Sequence, residues 1–225
     1  MDSAHVLTSP ALLYLFADEL VPPASGLFKE FALAPRTGTK VDLKQLVVKT
    51  YTAAFMELSE AGIIQLAPVE IKKFLGKETA VIPQIVGTAE PAPTSLGAQL
   101  MVMLRAATKP QNGRVREIVM HVVGGPSSTS YPWLMALVPV IREASEAGLV
   151  TMPEKKPGFF KAMFKPYESV TTATAVPERV DGLQGDMRAA VARLEAFEAR
   201  LGSLAPMLRK EIENGVKACM ENDSD

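Results

Sequence analysis

Apolar residues recur at helical spacing over much of the chain. The segment 42–61 is the clearest case, because Asp42 is placed to cap the start of a helix and Gly62 to end it. The positions that keep the spacing of one helix face are Leu46, Val47, Thr50, Ala54, Met56 and Leu58. Similar patterns predict further helices over 10–20, 95–107, 114–123, 132–147 and 182–217.

Two pairs of β-prone runs interrupt these helices. The runs 63–66 and 80–86 predict a first hairpin, with a long loop over the lysine-rich stretch 72–77. The runs 149–152 and 169–175 predict a second hairpin, whose strands are joined by a longer arm. The predicted fold class is therefore mainly α with two β-hairpins.

Each hairpin follows a helix that ends in the same short pattern. Glu57 to Ile64 reads ELSEAGII, and Glu143 to Val150 reads EASEAGLV. Both copies predict a helix, a glycine cap, a strand, a loop and a return strand, which together resemble a winged-helix building block. We expect one domain over 1–225 that contains sub-units 7–87, 94–176 and 177–217, followed by a disordered tail over 218–225.

Composition and charge limit the classes of function that the sequence allows. Of 225 residues, 48% are hydrophobic, which is enough for a sizeable core. The 24 basic and 25 acidic residues give a net charge of −1, so nothing in the bulk charge attracts the chain to nucleic acid. The single cysteine, Cys219, fits a reducing compartment, and no apolar run approaches the roughly 20 residues of a membrane span. We expect a cytoplasmic protein.

Residues with catalytic chemistry are few and scattered. The two histidines, His5 and His121, are far apart in sequence, and His121 lies in an apolar run typical of a core or edge position. There is no phosphate-binding loop, metal-ligand spacing or nucleophile elbow. The carboxylates expected on solvated helix faces include Glu143, Glu146, Glu195 and Glu198. We therefore expect a protein that is not an enzyme and that needs no cofactor or metal.

The arm over 153–167 has the most unusual composition in the chain. Its basic residues are Lys155, Lys156, Lys161 and Lys165. Its large apolar residues are Phe159, Phe160, Met163 and Phe164. Apolar side chains flanked by lysines suit a membrane interface, where rings enter the headgroup region and ammonium groups meet lipid phosphates. The alternative is that the arm packs on the core or on another subunit.

The order of these features resembles the Golgi phosphoprotein 3 family, including its bacterial members. That family opens with a leucine-rich helix that carries an acidic pair, as in 12–20 here. A helix then ends in Glu-Leu-x-x-x-Gly before a strand, as in 57–64. A later helix runs into a strand and a Phe-rich hairpin tip, as in 146–155 and 159–164. The resemblance covers about residues 7 to 200.

The resemblance implies a helical domain that sits peripherally on the cytosolic face of a membrane, the Golgi in a eukaryote. Family members bind phosphatidylinositol 4-phosphate, insert the hydrophobic hairpin and collect the cytoplasmic tails of membrane proteins. The phosphate site departs from the family pattern. Tyr51, with Lys49 nearby, stands where the family has an arginine, and Leu134 and Leu137 stand where it has two more. The family's tryptophan before Lys49 has no counterpart, since Trp133 lies elsewhere.

Two other interpretations stay open. A tandem winged-helix protein that binds DNA or chromosomes would also contain two helix–hairpin units. Its recognition helix should carry basic and amide side chains, but 132–140 carries neither and 42–58 has only Lys44, Gln45 and Lys49. A protein-binding adaptor is the other interpretation, with identical copies joined through the leucine-rich stretch 194–208 or through the arm.

Overall fold

The computed structural model describes residues 7–25, 30–73, 76–108, 113–124, 131–152 and 173–220. The larger helices of this part are α1 (Ser9–Leu15), α3 (Leu43–Glu60), α4 (Leu96–Ala106), α5 (Val115–Val123), α7 (Val138–Glu146), α9 (Gln184–Leu201) and α10 (Leu204–Ala218). Three four-residue helices are α2 (Ala17–Leu20), α6 (Pro132–Met135) and α8 (Pro177–Val180). The strands form three antiparallel pairs: β1 (Phe31–Leu33) with β2 (Lys40–Asp42), β3 (Ile64–Lys73) with β4 (Gly76–Ile85), and β5 (Val150–Thr151) with β6 (Thr174–Ala175). The predicted mainly α class with β-hairpins is confirmed.

Helix α3 is the centre of the core. The side chain of Asp42 accepts a hydrogen bond from the Gln45 N–H at 3.1 Å, which confirms the predicted cap. Further along the helix, Tyr51, Phe55 and Met56 are at most 1% exposed. Helices α1, α4, α9 and α10 all pack against α3, so its burial on several faces organises the rest of the chain.

The first predicted helix is divided in two. Its first half, α1, is buried along its whole length, and the chain breaks at Phe16 before α2 begins. Thr8 is the N-cap residue. Pro10 lies in the first turn of α1, where its missing N–H costs no helical hydrogen bond.

Both copies of the repeated pattern end in the same backbone structure. Gly62 has φ 67° and Gly148 has φ 68°, the left-handed conformation that glycine adopts most readily. After the first glycine, the Ile63 N–H donates to the Leu58 carbonyl at 2.9 Å. After the second, the Leu149 N–H donates to the Ala144 carbonyl, also at 2.9 Å. This is the Schellman arrangement in both units, and both glycine predictions are confirmed.

The first hairpin is longer than predicted. Strands β3 and β4 are 10 residues each and pair from Ile64–Ile85 to Lys73–Gly76, so the predicted long loop over 72–77 is wrong. Ladder hydrogen bonds join backbone groups, and polar side chains on an exposed ribbon do not prevent pairing. The sheet formed by β1 and β2 was not predicted either.

Prolines and a glycine divide the later helices. Pro139 lies in the first turn of α7, so the predicted helix 132–147 restarts there as α7 after the short α6. Gly202, with φ 53°, separates α9 from α10. The predicted seam over 194–208 is intramolecular core, with Leu194, Phe197 and Leu208 buried.

The C-terminal boundary also differs from the prediction of a disordered tail over 218–225. Helix α10 continues to Ala218, and the Cys219 side chain is only 1% exposed. Burial among apolar neighbours holds Cys219 in place, and at this end of the chain residues 221–225 lie outside the described ones.

Candidate functional site

The eight predicted membrane-binding residues lie outside the described residues. They are Lys155, Lys156, Phe159, Phe160, Lys161, Met163, Phe164 and Lys165. The structure does describe the two strands that flank the arm. Val150 pairs with Ala175 and Thr151 with Thr174, so the two ends of the segment between them start side by side. The Ala175 N–H also donates to the Pro35 carbonyl at 2.9 Å, which ties β6 to the body of the protein.

The helices of both repeat units bind the start of α1 through the same residue of the pattern. In the second unit, Glu143 Oε1 accepts from the Thr8 N–H and Oε2 from the Thr8 hydroxyl, each at 2.9 Å. In the first unit, Glu57 Oε1 accepts from the Ser9 N–H at 2.6 Å. Two carboxylates therefore satisfy N–H groups that a helix leaves open at its start, where its dipole favours negative charge. We call this arrangement the glutamate clamp.

The clamp corrects one prediction and explains a pKa. Glu143 was predicted to lie on a solvated face, but it is 8% exposed and hydrogen-bonded across 135 residues of sequence. Burial raises the pKa of Glu57 above its ordinary value, although the Ser9 hydrogen bonds and the nearby Arg193 oppose that shift. The positions are equivalent in the repeat, but only a three-dimensional structure brings them together at α1.

The three positions aligned with the family's phosphate-binding arginines belong to the core. Tyr51 and Leu137 are fully buried and Leu134 is 4% exposed. The Tyr51 hydroxyl is buried with no hydrogen-bond partner among the described residues, and burial raises its pKa. None of these side chains supplies a cation to an anionic headgroup. The three positions therefore lack the family's arginines and are also buried in the core.

Cys219 and His121 carry the thiol and the imidazole of the described residues. The Cys219 thiol donates to the Met120 carbonyl at 3.5 Å, and burial raises its pKa, which disfavours the nucleophilic thiolate. His121 is exposed on α5, contrary to the predicted core or edge position. Over the described ranges, no three His, Cys, Asp or Glu side chains are grouped so that they could hold a metal ion. No helix in the same ranges is long and apolar enough to cross a bilayer.

A cleft of about 310 Å³ opens between α1, α3, α9 and α10. Its floor is apolar and includes Leu13, Val48 and Leu194, whereas Lys44 and Lys49 line the α3 side. Sequence reasoning missed this cleft. The spacing of 44, 48 and 52 does place three side chains on one stripe of α3, but the opposite wall comes from residues 191–213, more than 130 positions later.

Comparison with known proteins adds no relative. No family model matches the chain, and no curated protein or solved structure matches it. The resemblance to the Golgi phosphoprotein 3 family therefore stays a prediction from the sequence motifs.

Proposed function

We propose that this protein binds anionic membrane surfaces peripherally through the arm over 153–167. The observation that carries the proposal is the composition of the arm, in which four lysines surround three phenylalanines and one methionine within 15 residues. Support also comes from the paired strands β5 and β6, because Thr151 and Thr174, which flank the segment that contains the arm, lie side by side on the folded body.

Two physical terms would act together in this binding. Each lysine near an anionic leaflet contributes about 1 kcal/mol, and that contribution decays within a Debye length. The phenylalanine rings add the free energy of leaving water, about 25 cal/mol per Å² of buried apolar surface. Neither term alone gives stable attachment, because reversible peripheral binding normally combines an apolar anchor with a basic patch.

The lipid chemistry we propose is general negative charge. Phosphatidylinositol 4-phosphate is a candidate because of the family resemblance. However, Tyr51, Leu134 and Leu137 replace the arginines that would hold its phosphate, and all three are buried. Charge-assisted hydrogen bonds to phosphate provide most headgroup selectivity, so without these arginines we expect surface charge density to determine binding.

Binding to DNA and adaptor activity are the competing proposals. A recognition helix needs exposed basic side chains. In the second unit, Trp133, Leu134 and Val140 are buried, which argues against α6 and α7 in that role. In the first unit α3 is the central helix of the core. An adaptor would bind a protein partner with no dependence on lipid or DNA.

Vesicle co-sedimentation tests the proposal. We would compare neutral phosphatidylcholine vesicles, vesicles with phosphatidylserine, and vesicles with phosphatidylinositol 4-phosphate at matched surface charge. We expect binding to both anionic vesicles, similar at equal charge, and little binding to neutral ones. The variant Phe159→Ser/Phe160→Ser/Phe164→Ser should lose most of this binding, and Lys155→Gln/Lys156→Gln/Lys161→Gln/Lys165→Gln should lose its dependence on anionic lipid.

The variants need a fold control, and the alternatives need their own measurements. Circular dichroism and thermal unfolding should match the unmodified protein, because the substitutions lie between β5 and β6 and leave the described core unchanged. Binding to no vesicle by the folded protein would contradict the proposal. A steep, salt-dependent affinity for duplex DNA without vesicle binding would favour the winged-helix alternative.

A further inference from the structure

The cleft between α3 and α10 has one apolar surface and two charged rims. Leu13 of α1, Val48 of α3 and Leu194 of α9 are buried at its floor, and Leu20 and Val191 are half-buried at its sides. Its volume of about 310 Å³ is at the lower end of the range of small-molecule sites. All of its lining residues lie in helices α1, α2, α3, α9 and α10.

The ionisable groups of the cleft divide into paired and unpaired ones. Glu198 forms an ion pair with Arg209 at 3.5 Å, and Glu213 pairs with Lys217 at 3.3 Å. These two acidic groups are therefore already neutralised by the protein. Lys49 is half-buried and has no ion-pair partner among the described residues. A lysine ammonium beside apolar side chains would gain from an anionic ligand group.

The other unpaired groups favour an anion over a cation. The Lys44 ammonium lies 5.6 Å from the centroid of the Trp133 ring, and it forms no ion pair in the described ranges. Glu195, on the opposite side, is exposed and therefore well hydrated. Once Glu198 and Glu213 are paired, the lining is left with two lysines, Lys44 and Lys49, against one glutamate, Glu195.

We propose that this cleft binds a single-chain amphiphile with one negatively charged head. The alkyl chain would lie against Leu20 and Val191 above the buried floor, and the head would meet the Lys49 ammonium with Lys44 nearby. A fully polar anion would leave Leu20 and Val191 in water, and a neutral hydrocarbon would leave Lys49 without an ion-pair partner among the described residues. One molecule can contact both the apolar lining and Lys49 favourably only when it has an apolar body and an anionic end.

Titration calorimetry with sodium decanoate, below the concentration at which it forms micelles, tests this site. We expect saturable binding of one decanoate per chain. Decyltrimethylammonium, which has the same chain length and the opposite charge, should bind at least about tenfold more weakly. Decanol should fall between the two.

Two variants and one matched control locate the binding. Lys49→Glu should weaken decanoate binding about tenfold or more, since it replaces attraction by repulsion. Lys210→Glu makes the same charge change on an exposed part of α10 outside the cleft, and it should change the affinity less than about twofold. Val191→Phe places a larger side chain in the cleft and should weaken decanoate and decanol alike. Thermal unfolding of each variant identifies any loss of fold.

The outcomes separate this site from the membrane proposal. The arm variant Phe159→Ser/Phe160→Ser/Phe164→Ser changes no cleft residue, so it should retain decanoate binding. Equal or tighter binding of decyltrimethylammonium would overturn the proposed anion preference. Failure of folded protein to bind decanoate, or unchanged binding by folded Lys49→Glu, would overturn the site itself.

Discussion

The two helix–hairpin units have the same backbone structure where the helix passes into the hairpin, and they differ in the lengths of the helix and of the strands. Both end their helix in a left-handed glycine, Gly62 or Gly148, and return a strand to the residue that follows. The Val86 N–H donates to the Ile63 carbonyl at 2.9 Å, and the Val176 N–H donates to the Leu149 carbonyl at 2.8 Å. The first helix, however, has 18 residues and the second has 9, and the described strands have 10 and 2.

This difference shows which part of the unit is structural. The shared part is the helix end, the glycine cap and the glutamate that binds α1, so these residues set how each unit joins the core. The hairpins beyond these shared residues can differ without changing how the unit joins the core. The first hairpin is fixed to α5 and α10 by a buried arginine, Arg114, whereas the second carries the arm that we propose to meet a membrane.

The largest expected effect comes from the arginine that fixes the first hairpin. Arg114 makes a bidentate contact with Glu211, with N–O distances of 2.7 and 3.2 Å, and a second contact with Glu78 at 3.3 Å. Its side chain is 9% exposed and that of Glu211 is 8% exposed. Arg114→Met should lower the free energy of unfolding by about 3 kcal/mol, because it leaves a buried carboxylate without its cation.

An arginine of the second unit provides the matched control. Arg179 is exposed, and its guanidinium lies 3.4 Å from the Gly148 carbonyl. Arg179→Met should cost less than about 0.5 kcal/mol in urea unfolding, as is usual for an exposed contact. Equal losses in the two variants would contradict the view that the buried ion network of Arg114 stabilises the fold more than an exposed arginine contact does.

The next effect concerns the glutamate clamp. Glu143→Ala removes two hydrogen bonds and leaves the buried Thr8 N–H without its acceptor, so we expect a loss of about 2 kcal/mol. Glu57→Ala removes one hydrogen bond, from the Ser9 N–H, and should cost about 1 kcal/mol. Urea unfolding measures both, and a neutral Glu143→Ala would contradict the clamp in the second unit.

A smaller and more even effect is expected at the capping glycines. Gly62→Ala and Gly148→Ala should each cost about 1 kcal/mol, because alanine is strained at positive φ. A Cβ at Gly62 would meet no atom of the described residues within 4 Å. At Gly148 it would clash with the Arg179 guanidinium, which can move away. Thermal unfolding should therefore show similar losses, slightly larger at Gly148, if the two caps are equivalent.

The smallest effect is a pH dependence that belongs to the first unit. Because burial raises the pKa of Glu57 above the ordinary value of 4.5, the folded state holds this proton more tightly than the unfolded state. The contribution of Glu57 to stability is then greatest below pH 4.5 and declines as pH rises through the raised pKa. Glu57→Gln should lose that decline, and its stability relative to the unmodified protein should increase from pH 4 to pH 7 in urea unfolding. A constant difference across this range would contradict the raised pKa.

Local signals made part of the fold predictable from sequence. The cap by Asp42 and the two helix-ending glycines each depend on a few neighbouring residues, and all three are present in the structure. The repeat was visible for the same reason. The fold class followed from these elements without any long-range information.

The features that could not be predicted from the sequence depend mostly on contacts between residues far apart in the chain. Glu143 reads as a surface residue because its partner Thr8 is 135 positions away. The cleft likewise joins α3 to helices more than 130 positions later. The first hairpin was predicted too short because Lys73 and Gly76 are turn-like in composition, yet their backbone groups pair.

The proposed difference between the two hairpins is tested most directly by a fluorophore placed on each of them. In a Cys219→Ala background, Phe160→Cys and Lys77→Cys would each carry an environment-sensitive label, since Lys77 is exposed in the first hairpin and position 160 lies in the arm of the second. On addition of phosphatidylserine vesicles, we predict a blue shift and higher intensity for the label at position 160 and none for that at 77. A shift at neither position, or an equal shift at both, would contradict the claim that the arm of the second unit is the membrane contact.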